Sequence, residues 1–152
     1  MVAFRFQAVL NVRKIEEEKL QGELAGLVIA AEEAEKKLNF LRFQKAQSQK
    51  VLHERQVEGL SASEIGIFDA YLNDLERQIS QQKKLLKKLT EAREKKREDL
   101  LVASKKRKIL EKLKEKALIE ALSEETARHQ NFIDEMGIVR HVRKTNLGPE
   151  GN

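Results

Sequence analysis

Three histidines, His53, His129 and His141, are the side chains best suited to proton transfer or metal ligation near neutral pH. They stand far apart in the chain, and none has a histidine or cysteine four residues away. That spacing is what sets two donors on one helix face. The chain contains no cysteine, which removes disulfides, thiolate zinc sites, iron–sulfur clusters and a thiol nucleophile together. Its 25 acidic residues supply carboxylates in plenty, but acid–base work needs a pocket that shifts their pKa and excludes water. No glycine loop has phosphate-binding spacing either. The expectation is a non-enzyme with no catalytic residue, no bound metal and no cofactor.

Charge is the other chemical resource. From Lys83 to Lys116 there are 15 Lys or Arg against 6 Asp or Glu, a balance of +9. From Ala117 to Met136 five acids face Arg128 alone, a balance of −4. A lysine-rich helix attracts phosphates weakly and in a salt-dependent way. Residues 83–116 hold no aromatic side chain, so they offer no platform on which bases stack. Nucleic acid is therefore not expected as a partner, and membrane contact is expected to be peripheral only. The longest apolar run, Ala25 to Ala31, is interrupted by Gly26 and falls far short of the ~20 residues that span a bilayer. Met1 to Phe6 lacks the apolar core of a secretion signal, so the chain is expected to work in the cytoplasm.

The elements that carry these charges are legible from composition and period. Ala (14), Glu (21), Leu (20) and the 30 bases sum to 85 of 152 residues, above the roughly 50% that marks long helices and coiled coils. Leu, Ile, Val and Phe total 44, above the roughly 20% below which a chain stays disordered. The only proline is Pro149, so nothing before the C-terminus must break a helix. Apolar residues recur at alternating steps of three and four. One frame reads Leu10, Arg13, Glu17, Leu20, Leu24, Leu27, Ala31, Ala34, Leu38, Leu41, Lys45, Ser48, Leu52, Arg55, with nine of 14 apolar. A second reads Leu72, Leu75, Ile79, Gln82, Leu86, Leu89, Arg93, Lys96, Leu100, Ala103, Arg107, Leu110, with eight of 12 apolar.

Between the frames lies one break. Gly59 can take the left-handed conformation that ends a helix. Ser61-Ala62-Ser63-Glu64 fits a capping box, with Leu60 and Ile65 spaced as its hydrophobic staple. A short connection makes the two helices antiparallel neighbours. The fold class expected is all-α, a long two-helix antiparallel coiled-coil hairpin over residues 1–136. Helix one covers about 3–57, the turn about 57–61 and helix two about 62–136. Gly137 reads as a stop, and 137–152 as a flexible tail. At 1.5 Å per residue the helices measure about 80 and 110 Å. Helix one then runs out opposite residue 116 or so, leaving Ala117–Met136 with an apolar face, Leu118, Leu122, Phe132, Ile133 and Met136, that lacks a partner helix. The glycines four apart, Gly22 and Gly26, would suit a close helix approach, or simply lower local stability by about 1 kcal/mol each. Gln82, Arg93, Lys96 and Arg107 interrupt the second seam and are expected to set its register, their stems lying on apolar neighbours.

Particular residues go beyond a generic coiled coil. Phe4-Arg5-Phe6, Val9-Leu10, Arg13 and Glu16-Glu17 form the string F-x-F-x-x-V-L-x-x-R-x-x-E-E. Lys105-Lys106-Arg107-Lys108-Ile109-Leu110-Glu111-Lys112-Leu113-Lys114-Glu115-Lys116 stands near the other end, followed by Ile133-Asp134-Glu135. In length, turn position and end motifs the chain resembles the FliJ family, the small component of the flagellar type III export apparatus. The resemblance implies a shaft similar to that of the γ subunit of rotary ATP synthases. The partners it implies are the hexameric export ATPase FliI, the export gate protein FlhA and the flagellar export chaperones. It implies an ATPase-facing set of Phe4, Phe6, Leu10, Arg13, Glu17, Leu110, Leu113 and Lys114, and a gate-facing set of Tyr71, Leu75, Gln78 and Gln82. The location implied is cytoplasmic, peripheral at the inner face of the cell membrane. The alternative reading of the residues is a generic coiled-coil adaptor or chaperone, with a basic surface that meets nucleic acid or lipid ranking third.

Overall fold

The computed structural model describes residues 3–146. They form two helices packed against each other, α1 (Gln7–Glu58) and α2 (Ala62–Asn146), with no strand among the described residues. The two apolar frames are the buried faces. Every position of the first from Leu10 to Leu52 is buried or half-buried, and so is every position of the second. Only Arg55, at the end of the first frame, is exposed.

The turn follows from its residues. Gly59 has φ of +103°, a backbone region where a Cβ is strained, and its N–H donates to the Arg55 carbonyl at 2.9 Å. Ser61 then caps α2. Its Oγ accepts from the Glu64 N–H at 3.2 Å, and its carbonyl accepts from the Ile65 N–H at 3.1 Å. Leu60 and Ile65 are both half-buried, as the staple requires. The Arg55 guanidinium lies 6.0 Å from the centre of the Phe68 ring, linking the two helix ends.

Both outer ends differ from expectation. Helix α1 starts at Gln7, not near residue 3. The Phe4 carbonyl accepts from Gln7 N–H at 3.1 Å as a tight turn, and the Phe4 and Phe6 rings meet edge to face at 5.9 Å. Aromatic packing among neighbours thus replaces the first helical turn. At the other end α2 passes through Gly137 and continues to Asn146. A helical glycine costs only about 1 kcal/mol, and no proline occurs before Pro149. Arg143 and Lys144 in the last turn complement the negative end of the helix dipole. Of the expected tail, 137–146 is therefore helix, while 147–152 lies outside the described residues.

The structure divides into two compact units. The first is Ile15–Ser104, the hairpin around the turn. Its core is Leu38, Leu41, Leu75 and Ile79, with Leu86 packed against it. A fully buried Leu or Ile contributes about 1.5–3 kcal/mol relative to an exposed one. Beside this core the buried Gln82 donates from Nε2 to the Ala34 carbonyl at 3.1 Å, a cross-helix bond that fits the register role expected of it. Gly22 and Gly26 do not mark a close approach, because a Cβ at either would meet nothing within 4 Å.

Two ion pairs also cross between the helices of this unit, Lys45 to Glu76 at 3.2 Å and Lys96 to Glu23 at 2.7 Å. The Lys96 ammonium donates to Glu23 and holds that carboxyl below its ordinary pKa, while the same bond raises Lys96. A depressed Glu23 contributes stability that is present above its unfolded pKa, about 4.3, and lost as pH falls through the folded value. A raised Lys96 contributes stability present below about 10.4 and lost as pH climbs through the folded value. Lys96→Met is therefore expected to flatten both limbs of stability against pH. Urea midpoints at pH 3, 7 and 11 measure this, and an unchanged profile would show that the pair contributes nothing.

The second unit joins the chain up to Lys14 with the chain from Lys105 onward. Leu10 is fully buried there. Arg13, Arg107 and Leu110 are half-buried, and Arg107 Nη1 bonds Glu111 Oε2 one turn along its own helix at 2.6 Å. Past Ala121 every described residue is exposed, Leu122, Phe132, Ile133 and Met136 among them.

Candidate functional site

Seven of the eight residues expected to face the ATPase fall in the unit that holds the first and last described residues, and Glu17 falls in the hairpin unit around the turn. The aromatic tip is built locally. With Phe4 and Phe6 stacked edge to face, the Arg5 guanidinium sits 5.5 Å from the centre of the Phe6 ring, an arrangement that attracts cation to aromatic face. The tip lies along α2, where Ala3, Phe4, Arg5 and Phe6 line an open trough of about 380 Å³ with Leu113, Lys116, Ala117 and Glu120. Apolar floor and mixed-charge rim together suit contact with another protein's surface.

The members of the expected set divide by exposure. Phe6 (42%) and Leu113 (44%) offer apolar surface, and Lys114, next to Leu113 in sequence, is exposed. Leu10 is 0% exposed and Glu17 8%, so these two are held inside the packing. Phe4, Arg13 and Leu110 are intermediate. Arg5, Lys116, Ala117 and Glu120 were not among the expected residues. On α2 their signal was present, since 113, 116 and 120 share one helical stripe (steps of three and four) one position before the seam, on which Ala117 itself lies.

The expected gate-facing set divides in the same way. Tyr71 is exposed, and Gln78 is half-buried with its Nε2 donating to Asp74 Oδ2 at 2.7 Å. Asp74 also accepts from Arg77. Leu75 is 2% exposed and Gln82 7%, both turned into the hairpin core. The outward surface at this place is Tyr71, Asp74, Arg77 and Gln78, not all four expected residues.

Among the described residues no group of three or more His, Cys, Asp or Glu is placed to hold a metal ion. No helix among them is long and apolar enough to cross a membrane. No buried side-chain nitrogen or oxygen among them lacks a hydrogen-bond partner, so the packing leaves no strained polar group inside. What the surfaces provide is contact: an aromatic tip, a basic helix face and an exposed apolar face.

No curated protein and no solved structure matches the chain. The family model described as "Flagellar FliJ protein" matches residues 2–146, nearly the whole chain. That span includes both helices, the turn and the aromatic tip. The chain belongs to the FliJ family and has its role in flagellar protein export.

Proposed function

We propose that this protein binds the hexameric export ATPase FliI as a stalk-like coiled coil, promotes its ring assembly and activity, and links it to the export gate protein FlhA while assisting export chaperones. Such work is done by contact and needs no active site. The observation that supports it best is the trough of Phe4, Arg5, Phe6, Leu113, Lys116 and Glu120, an aromatic anchor with a rim of mixed charge. Aromatic side chains and arginine are enriched at protein interfaces, where a few such anchors carry most of the binding energy. In this reading Phe6, Leu113 and Lys114 touch the ATPase. Leu10, Arg13, Glu17 and Leu110 hold the helices that present them. Tyr71 and Gln78 meet the gate, over a seam kept in register by Leu75 and Gln82. The protein acts at the cytoplasmic face of the cell membrane, held there by its partners.

The test is ATP turnover by the cognate export ATPase, titrated with this protein. The wild type is expected to raise turnover, and Phe6→Ala combined with Lys114→Glu to reduce that stimulation at least about tenfold, the effect of losing a central aromatic contact. Both positions are exposed, so helix content by circular dichroism is expected to stay unchanged. Flat turnover across the wild-type titration would overturn the reading. Retention on DNA that weakens steeply with salt would instead favour a basic-surface binder.

A further inference from the structure

The exposed end of α2 has a pattern of its own. The hairpin seam, continued past Leu110, meets Lys114, Ala117 and Ala121 and then only Glu124, Arg128, Asn131 and Glu135 before Ile138. Ala117 and Ala121 are its last half-buried residues. The apolar side chains lie one position further on: Leu118, Leu122, Phe132, Met136 and Val139, each 43–60% exposed. One residue is about 100° of helix, so this stripe occupies a different face from the seam. It keeps the three-and-four spacing of a coiled-coil face through Glu125 and His129. It is a second seam with nothing on it.

We propose that this stripe pairs with the same stripe of a second copy of the chain, antiparallel. The charges select both the partner and the direction. Residues 117–131 carry Glu120, Glu124, Glu125 and Arg128, a balance of −2, and residues 132–146 carry Asp134, Glu135, Arg140, Arg143 and Lys144, a balance of +1. A reversed copy lays each half against its opposite, whereas a parallel copy sets like against like. The reversed register also sets Leu122 against Val139 of the other copy and His129 against Phe132. It brings Arg128 to Glu135 twice, once on each side of the two-fold axis, as an isologous interface requires. Arg128 now has only a loose contact of 3.9 Å with Glu124, both ends being largely exposed, so little is lost when it turns to a new partner. Glu125 and His129 interrupt the stripe, which sets register and keeps the pairing weak enough to reverse.

The proposal stands on the exposed face alone and does not depend on ATPase binding. Sedimentation of the full chain across a concentration series is expected to show mass rising from 17.5 kDa toward twice that value. Glu135→Arg or Arg128→Glu alone is expected to weaken association about tenfold, and the two together to restore it. Direction is read with single cysteines, which this cysteine-free chain makes unambiguous. A mixture of Leu122→Cys and Val139→Cys chains is expected to cross-link on oxidation, and neither chain alone. Monomer at every concentration would overturn the proposal. So would a double charge swap no better than the single changes, or cross-linking of Leu122→Cys to itself, which signals a parallel pair.

Discussion

Leu75→Ala is expected to lower stability by about 2–4 kcal/mol, or the thermal midpoint by roughly 5–15 °C. Leu75 is 2% exposed at the centre of the cluster with Leu38, Leu41 and Ile79. Removing three carbons there loses their transfer from water and leaves a gap that two stiff helices close incompletely. Thermal and urea unfolding followed by circular dichroism measure it. A loss under about 1 kcal/mol, as for a surface change, would mean the side chain is not enclosed. This matters for function as well. If Leu75→Ala weakens gate binding, loss of the hairpin alone explains it. Tyr71→Ala, at an exposed position, separates contact from folding because it leaves the core intact.

Gln82→Glu is the second large effect. The amide is 7% exposed and donates to the Ala34 carbonyl. A carboxylate there has no proton to donate, faces that carbonyl oxygen and loses water, at a cost of about 2–3 kcal/mol at pH 7. Burial raises the pKa of the introduced acid in the folded state. A group whose folded pKa is raised contributes stability below its unfolded pKa, lost as pH rises through the folded value. The deficit of Gln82→Glu relative to wild type should therefore shrink at pH 4, where the acid is neutral and can donate again. Gln82→Leu is expected to cost little or even to stabilise, because no polar group is buried, while loosening the register that the amide defines. A Gln82→Glu deficit unchanged between pH 4 and 7 would show that the site is open to water.

These effects rest on positions whose burial could be read beforehand. Leu75, Ile79 and Gln82 stand in one frame and Leu38 and Leu41 in the other, because a period of three and four sets a face on any helix regardless of its partner. Gly59 and Ser61-x-x-Glu64 placed the turn, since each acts on its nearest neighbours through backbone conformation or a short hydrogen bond. Local chemistry was less decisive at the two ends. Gly137 read as a stop and is helix, because a glycine weakens a helix without breaking it. Phe4 read as helical and is not: its carbonyl closes a tight turn with the Gln7 N–H, and its ring packs edge to face on Phe6.

The interaction surfaces divide along the same line. Phe6, Tyr71, Leu75 and Gln82 came forward as contact candidates through the family resemblance. Spacing had already set Leu75 and Gln82 on the seam and left Tyr71 off it, but that Phe6, four residues before Leu10, stays exposed was not legible. A seam position and a docking position can carry the same apolar residues, and the packing of the two helices leaves Phe6 exposed while Leu10, one turn on, is covered. The trough that adds Arg5, Lys116 and Glu120 to Phe6 likewise exists because the first helix begins only at Gln7 and the residues before it lie along α2. Periodicity is a property of one helix and survives in the bare chain. Exposure belongs to a pair of helices, and appears only when they meet.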